Sequence, residues 1–201
     1  ADALNDLGWW WLNGSRLKPN PELARRLFKL AAVMGSAEAL FNLAEQAFYG
    51  KGLSINSVLA IDYYEQAFEA GIPCAAQALG SLYERGDESV MADHGKAISW
   101  YKKGAAENDA MACFLLGRLA LDEASTEYDQ AQGLYWLQWA AMKGQVLATE
   151  RLTDFYFCTF ESPPDPDGLL FAFWRDLAIS QGSSWAKELC IVGGSFPVCR
   201  H

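Results

Sequence analysis

The chain is short of the residues from which most enzyme sites are built. Its 201 residues include only two histidines, His94 and His201, and five cysteines with no C-x-x-C pair. That inventory is too thin for a zinc site. There is no G-x-S-x-G elbow, P-loop, H-E-x-x-H or glycine-rich dinucleotide fingerprint. The common acyl-transfer, nucleotide-binding and metalloprotease chemistries therefore have no visible carrier, and no cofactor is expected. "DPDG" (165–168) lacks the remaining ligands of a calcium loop and is expected to cap the helix that follows. His94, between Asp93 and Gly95, suits a solvated or capping role, and "EYDQ" and "DESVMAD" read as solvated loops. No apolar run reaches the roughly 18–20 residues that cross a bilayer. No signal peptide is recognisable, although the chain opens inside what reads as a helix. Positive charge is scarce too: 16 Lys and Arg against 25 Asp and Glu leave a net charge of −9. That balance opposes nucleic-acid phosphate and anionic lipid, and favours a basic or partly apolar protein or extended peptide as partner.

What is present is repetition. Half of the residues are hydrophobic and a fifth are charged, as in a folded protein. "ALNDLGWWWLNG" (3–14), "ALFNLAEQAFYG" (39–50) and "AAQALGSLYERG" (75–86) share one frame, continued by "ACFLLGRLALDE" (112–123) and "ATERLTDFYFCT" (148–159). The leading Ala recurs at 3, 39, 75, 112, 148 and 186, in steps of 36 to 38 residues. A second segment aligns without gaps: "ARRLFKLAAVMG" (24–35), "AIDYYEQAFEAG" (60–71), "AISWYKKGAAEN" (97–108), "GLYWLQWAAMKG" (133–144) and "FAFWRDLAISQG" (171–182). Apolar residues spaced by 3, 4, 7 and 8 make each segment a helix with one buried face. The closing Gly35, Gly71, Asn108, Gly144 and Gly182 suit a left-handed C′ position. Helices are expected near 2–13, 21–34, 36–49, 57–70, 73–85, 94–107, 109–121, 129–143, 145–158, 168–181 and 183–192. The recurrent Ala lets backbones approach closely, and large aromatics such as Tyr64, Tyr101, Trp136 and Trp174 fill the gaps. One pair cannot bury its apolar face alone, so pairs must stack.

The frame L-G-x-x-aromatic-x-x-G, followed by A-x-x-W/Y-Y-x-x-A-A-x-x-G, resembles the Sel-one-like repeat, cousin of the tetratricopeptide repeat. "LGSLYERG" (79–86) with "KAISWYKKGAAEN" (96–108) is similar to it throughout, and the 17 residues from Leu7 to Ala24 or Leu43 to Ala60 match its long inner loop. Glu123 and Thr159 depart from the loop glycine, and "ESPPDPDG" (161–168) lengthens the last loop. The expected fold is an all-α, right-handed superhelical α/α repeat solenoid of about five helix pairs plus a terminal helix. It would form a single domain over 1–192, with repeats 1–35, 36–71, 72–108, 109–144, 145–182 and a partial 183–192, and a tail over 193–201.

"LGWWWLNG" (7–14) sets three tryptophans about 100° apart on a helix, so they cannot share one environment. The repeat equivalents of Trp10 (Gln46, Leu82, Leu119, Phe155) and of Trp11 (Ala47, Tyr83, Ala120, Tyr156) are mostly apolar or small, so these two are expected in the core. Trp9 aligns with Glu45, Ser81, Arg118 and Asp154. In the family, first helices line the concave face of the superhelix. There Trp9 would either serve a partner as a hot spot or seal the end of the array. The same face would hold Asn5, Leu12, Phe41, Glu45, Phe48, Tyr49, Gln77, Ser81, Glu84, Arg85, Phe114, Arg118 and Leu121.

Cys74 and Cys113 read as small buried residues, whereas Gly193-Gly194 would let a Cys190–Cys199 disulfide form, the alternative being two free thiols. A bridge would place the chain in an oxidising compartment, a bacterial periplasm rather than a cytoplasm. The resemblance implies a non-enzymatic protein-interaction module. Relatives act as immunity proteins that block secreted toxins, and an acidic array suits that role against a cationic toxin such as a phospholipase. The alternative is an adaptor or scaffold in envelope secretion or assembly. A third reading is an enzyme on cell-wall fragments that uses carboxylates such as Glu45, Glu84 and Asp154, which would have to converge.

Overall fold

The computed structural model describes residues 1–14, 18–122, 129–158 and 168–191, with residues 190 and 191 described without their side chains. Among these residues there are eleven helices and no strand. The chain forms two compact units, Ala1–Asp109 and Ala110–His201. The first holds α1 (Asp2–Asn13), α2 (Pro21–Val33), α3 (Ala37–Tyr49), α4 (Ser57–Glu69), α5 (Cys74–Arg85) and α6 (His94–Ala106). The second holds α7 (Ala110–Ala120), α8 (Gln130–Met142), α9 (Val146–Cys158), α10 (Leu169–Ser180) and α11 (Ser184–Ile191). Each end lies within one residue of the position expected from the periodicity.

Two recurring joints produce these elements. Every second-type helix closes with a left-handed residue: Gly35, Gly71, Asn108, Gly144 and Gly182 have φ between 63° and 97°. In each case the next N–H reaches back to the carbonyl five residues earlier, as Ser36 does to Ala31 and Asp109 to Gly104, both at 3.0 Å. These are Schellman closures, and they reverse the chain within two residues. The other joint opens four second-type helices. Asn20, Asn56, Asp93 and Asp129 each accept a bond from the N–H three residues on, at 2.9 to 3.0 Å. The same four residues donate their own N–H to the carbonyls of Trp11, Ala47, Tyr83 and Ala120. One short side chain thus caps the helix while its backbone ties the long loop to the helix before it. α10 differs: it starts after Gly168, which supplies no side-chain cap. The aspartate expected to cap it lies outside the described residues.

Within a pair, a small residue on the first helix receives a large one from the second. Gly8 faces Phe28, Gly80 faces Tyr101 and Gly117 faces Leu137, each so closely that a Cβ would come within 2.3 to 2.7 Å of the partner side chain. The recurrent Ala at 39, 75, 112, 148 and 186 is fully buried. Replacing Ala112 or Ala148 with Leu is expected to overpack these contacts and cost about 1–3 kcal/mol. Urea titration of both variants checks it, and unchanged midpoints would mean that the close contacts lie elsewhere.

Candidate functional site

The first-type helices bear three apolar or mixed stripes, each at i, i+4, i+7, and one tryptophan of α1 falls on each. Leu4, Gly8 and Trp11 face α2: Leu4 and Trp11 pack on the buried cluster of Ala24, Phe28 and Ala31. Ala3, Leu7 and Trp10 form the second stripe, and Trp10 is 54% exposed. This corrects the expectation that Trp10 is core. Its equivalents Gln46, Leu82 and Leu119 are indeed buried, but Gln46 lies against the helix pair before it, bonding the Pro21 carbonyl at 2.8 Å. Among the described residues, no helix occupies the corresponding place on α1. The third stripe is Asn5, Trp9 and Leu12, the row proposed for a partner, and Trp9 is 48% exposed.

In the first unit that row continues as Phe41, Glu45 and Phe48 on α3, then Gln77, Ser81 and Glu84 on α5. Its members are half-buried, and the second-type helices hold several of them. Phe41 meets the Tyr64 ring edge-on at 5.5 Å. The Tyr64 hydroxyl donates to Glu45 at 2.6 Å, and that of Tyr101 donates to Glu84 at 2.7 Å, with Ser81 at 3.2 Å. Both tyrosine rings are buried, so their hydroxyls need acceptors. Burial first, then the Glu45 bond, pushes the Tyr64 phenol far above its usual range. Asn42 donates to Asn5 at 2.8 Å, joining α1 to α3. Leu12 leans into the cluster around Phe28 rather than outward.

At the C-terminal ends of α3 and α5 the row opens into a cleft of about 620 Å3, a volume typical of ligand sites. Phe48, Tyr49, Ile55 and Leu82 supply its apolar surface, and Ser57, Arg85 and residues 86–89 its polar edge. Tyr49 is exposed and stacks edge-on with Phe48 at 4.8 Å. The exposed Arg85 guanidinium lies 5.9 Å over the Phe48 ring, and its Nε donates to the Ser81 carbonyl. The loop wall is built on Asp87. Its carboxylate accepts from the Ser57 hydroxyl and from the N–H groups of Ser89 and Val90, at 2.7 and 2.9 Å. The Ser57 bond, with those two N–H groups, holds the carboxyl below its usual range. "DESVMAD" is therefore an ordered wall rather than merely a solvated run. The signal for it was an Asp two and three residues before two N–H donors, an Asx turn.

In the second unit, Phe114 on α7 lines a pocket of about 200 Å3 with Leu147, Glu150, Arg151, Asp154 and Trp185. Arg151 lies 3.8 Å from Asp154. Arg118 is half-buried on α7, and Leu121 packs so tightly on Gly133 that a Cβ there would sit 2.7 Å from it. Leu121 thus serves its own pair.

The Sel1 repeat matches this chain over residues 1–36, 37–72, 75–109 and 110–145. The chain belongs to the Sel1 repeat family. Sel1 repeats form protein-interaction modules and are typically non-enzymatic. Protein sel-1 homolog 2 of Homo sapiens is 32% identical over 117 residues, covering 58% of this chain but only 17% of that protein. A Sel1 repeat protein from Oxalobacter formigenes superposes with a TM-score of 0.74 at 26% identity, over 94% of this chain and 74% of that one. The immunity protein PA5088 from Pseudomonas aeruginosa shares the fold with a TM-score of 0.57 at 18% identity, over 96% of this chain and 72% of that one.

Two further features of the Sel1 chain bear on function. Glu45 and Glu84, candidates for acid–base work, each serve the buried tyrosine of their own repeat. Among the cysteines, neither the buried Cys113 nor Cys74, exposed at the first turn of α5, is in a disulfide. Cys158, at the end of α9, is disulfide-bonded. The Cys190–Cys199 pairing lies outside the described residues. Non-reducing peptide mapping is expected to recover Cys158 in a linked fragment, and a free thiol at Cys158 would overturn that bond.

Proposed function

We propose that this chain is a non-catalytic protein-binding module that acts as an immunity protein, holding and blocking a secreted toxin such as a phospholipase. The observation that carries the reading is the cleft at the ends of α3 and α5. Phe48, Tyr49 and Arg85, three residues assigned to the binding row from the sequence, meet there beside an ordered loop wall. An apolar floor with a cation and carboxylates at its edge can take a protein segment that carries both apolar and charged side chains. The net charge of −9 favours a cationic partner by drawing it in during encounter. The bonds that occupy Glu45 and Glu84 weaken the reading as a glycan-cleaving enzyme. A disulfide at Cys158 fits an oxidising compartment such as a periplasm.

The test is affinity capture from the native organism with mass spectrometry, followed by calorimetric titration of the captured protein. Phe48→Ala is expected to weaken binding by about 1–2 kcal/mol through the cleft, and Arg118→Ala reports separately on the row of the second unit. Full affinity in both folded variants would move the partner to another surface. A captured protein that is a secretion or assembly component rather than a toxin would favour an adaptor role.

A further inference from the structure

Two polar residues of the first unit stand in columns that are otherwise apolar, and the fold brings them to one cavity. Gln46 on α3 aligns with Trp10, Leu82, Leu119 and Phe155. Arg25 on α2 aligns with Ile61, Ile98, Leu134 and Ala172. Both line a cavity of about 140 Å3 bounded by α2, α3, α4 and the loop between α3 and α4. Leu43, Leu53 and Leu59 supply its apolar wall, and the exposed Lys29, one turn beyond Arg25, lines it too. Gln46 is only 1% exposed. Its Nε2 donates to the Pro21 carbonyl, but its Oε1 is buried without a partner among the described residues. Arg25 does not meet that need, because its guanidinium pairs with Glu22 at 2.9 Å and stays partly exposed. A leucine at position 46 would bury no unmet acceptor, so the glutamine carries a cost that the other repeats avoid. Such departures from a fold's own pattern concentrate where a residue serves binding rather than packing.

We propose that this cavity binds an N-acylated α-amino acid, a small carboxylate with an N–H donor on the carbon beside the acid. The chemistry follows from the wall. Oε1 of Gln46 has only lone pairs to offer, so the part of the ligand that meets it must donate. Arg25 and Lys29 can only donate, so the part that meets them must accept, and an anion does so most strongly. Two cations at one small cavity are the more telling in a chain whose net charge is −9. A simple anion would leave Oε1 unmet, and a bound water would give no reason for an arginine in an apolar column. The three leucines take a short aliphatic side chain. The volume is below the roughly 300 Å3 at which ordinary ligand pockets begin, which suits one residue rather than a cofactor. The same group is found on a free acylamino acid and at the C-terminus of any polypeptide. The cavity shares no residue with the cleft of Phe48 and Arg85, so this proposal stands apart from the function proposed above.

The probe is N-acetyl-leucine, titrated into the isotope-labelled full chain and read from the NMR shifts of amides around the cavity. Saturable shifts are expected, with a Kd of about a millimolar. Isocaproate, which lacks the N–H, and N-acetyl-leucine amide, which lacks the charge, should each bind about tenfold more weakly or worse. Gln46→Leu installs the residue of the third and fourth repeats. It should melt no lower than the native chain, yet bind N-acetyl-leucine and isocaproate alike. Arg25→Ile should weaken binding about tenfold and Lys29→Ala severalfold, whereas Arg26→Ala, which removes the same charge outside the cavity, should leave it unchanged. A peptide ending in leucine separates the two sources. Binding as tight as N-acetyl-leucine or tighter assigns the site to a chain terminus, and weaker binding assigns it to a free acid. Absence of saturable shifts, equal binding of the amide, or an undiminished preference for the N–H in Gln46→Leu would overturn the proposal.

Discussion

Phe28→Ala is expected to lower stability by about 3–5 kcal/mol, among the largest losses a single core truncation produces. Phe28 is fully buried, and its ring lies against Gly8, where no side chain can relax into the space it leaves. Ala24, Ala31, Ala39 and Leu43 share the cluster, and four such short side chains cannot collapse far without moving a helix. Because repeats contact only their neighbours, part of the loss should appear as a shallower urea transition, with α1 and α2 melting ahead of the rest. Gly8→Ala tests the same contact from the other side. In a helix interior, Gly to Ala is worth about 1 kcal/mol in its favour. Here a Cβ would come within 2.7 Å of the Phe28 ring, so a net loss is expected. In the Phe28→Leu background the same Gly8→Ala change should turn neutral or favourable. A double-mutant cycle in urea measures that coupling. Additive effects would mean that Gly8 is small for some reason other than Phe28.

Why so much of the fold was legible in the sequence lies in the repeat itself. Each position is sampled four or five times, so the small residue that receives a ring and the left-handed residue that ends a helix stand out as columns. Asn108 in the glycine column, with φ 63°, shows that the column encodes backbone conformation rather than composition. Trp10 shows where that reasoning stops. Its column specifies a face that packs on a preceding pair, and among the described residues α1 has no such pair against it. The cleft was half legible. Phe48, Tyr49 and Arg85 follow from helical register, whereas Ile55 and the 86–89 wall depend on a hydrogen bond between Ser57 and Asp87, thirty residues apart. Long-range pairing of two small polar side chains, one opening α4 and one in a loop, leaves no period to detect. Leu12 and Leu121 fell on the row by register, yet their flexible aliphatic ends turn back to their own helix pairs.

Trp9→Ala is expected to leave the melting temperature nearly unchanged while weakening the captured partner by about 2 kcal/mol or more, some thirtyfold in Kd. The direction follows from exposure. A side chain 48% exposed in the free chain has half of its area still in water, so truncation removes little of the folded state's burial. A partner that covers the other half gains a large rigid surface with few rotors to immobilise. Had Trp9 sealed the end of the array, the same change would cost about 3 kcal/mol of stability and touch binding only indirectly. Trp10→Ala is the matched control. It removes an equally exposed indole one residue away on a different stripe, so it should spare the partner that Trp9 contacts. Calorimetric titration beside a melting curve for each variant separates these outcomes. Equal losses of affinity from Trp9→Ala and Trp10→Ala would point to one broad contact over the end of α1, and full affinity in Trp9→Ala would remove α1 from the partner's footprint.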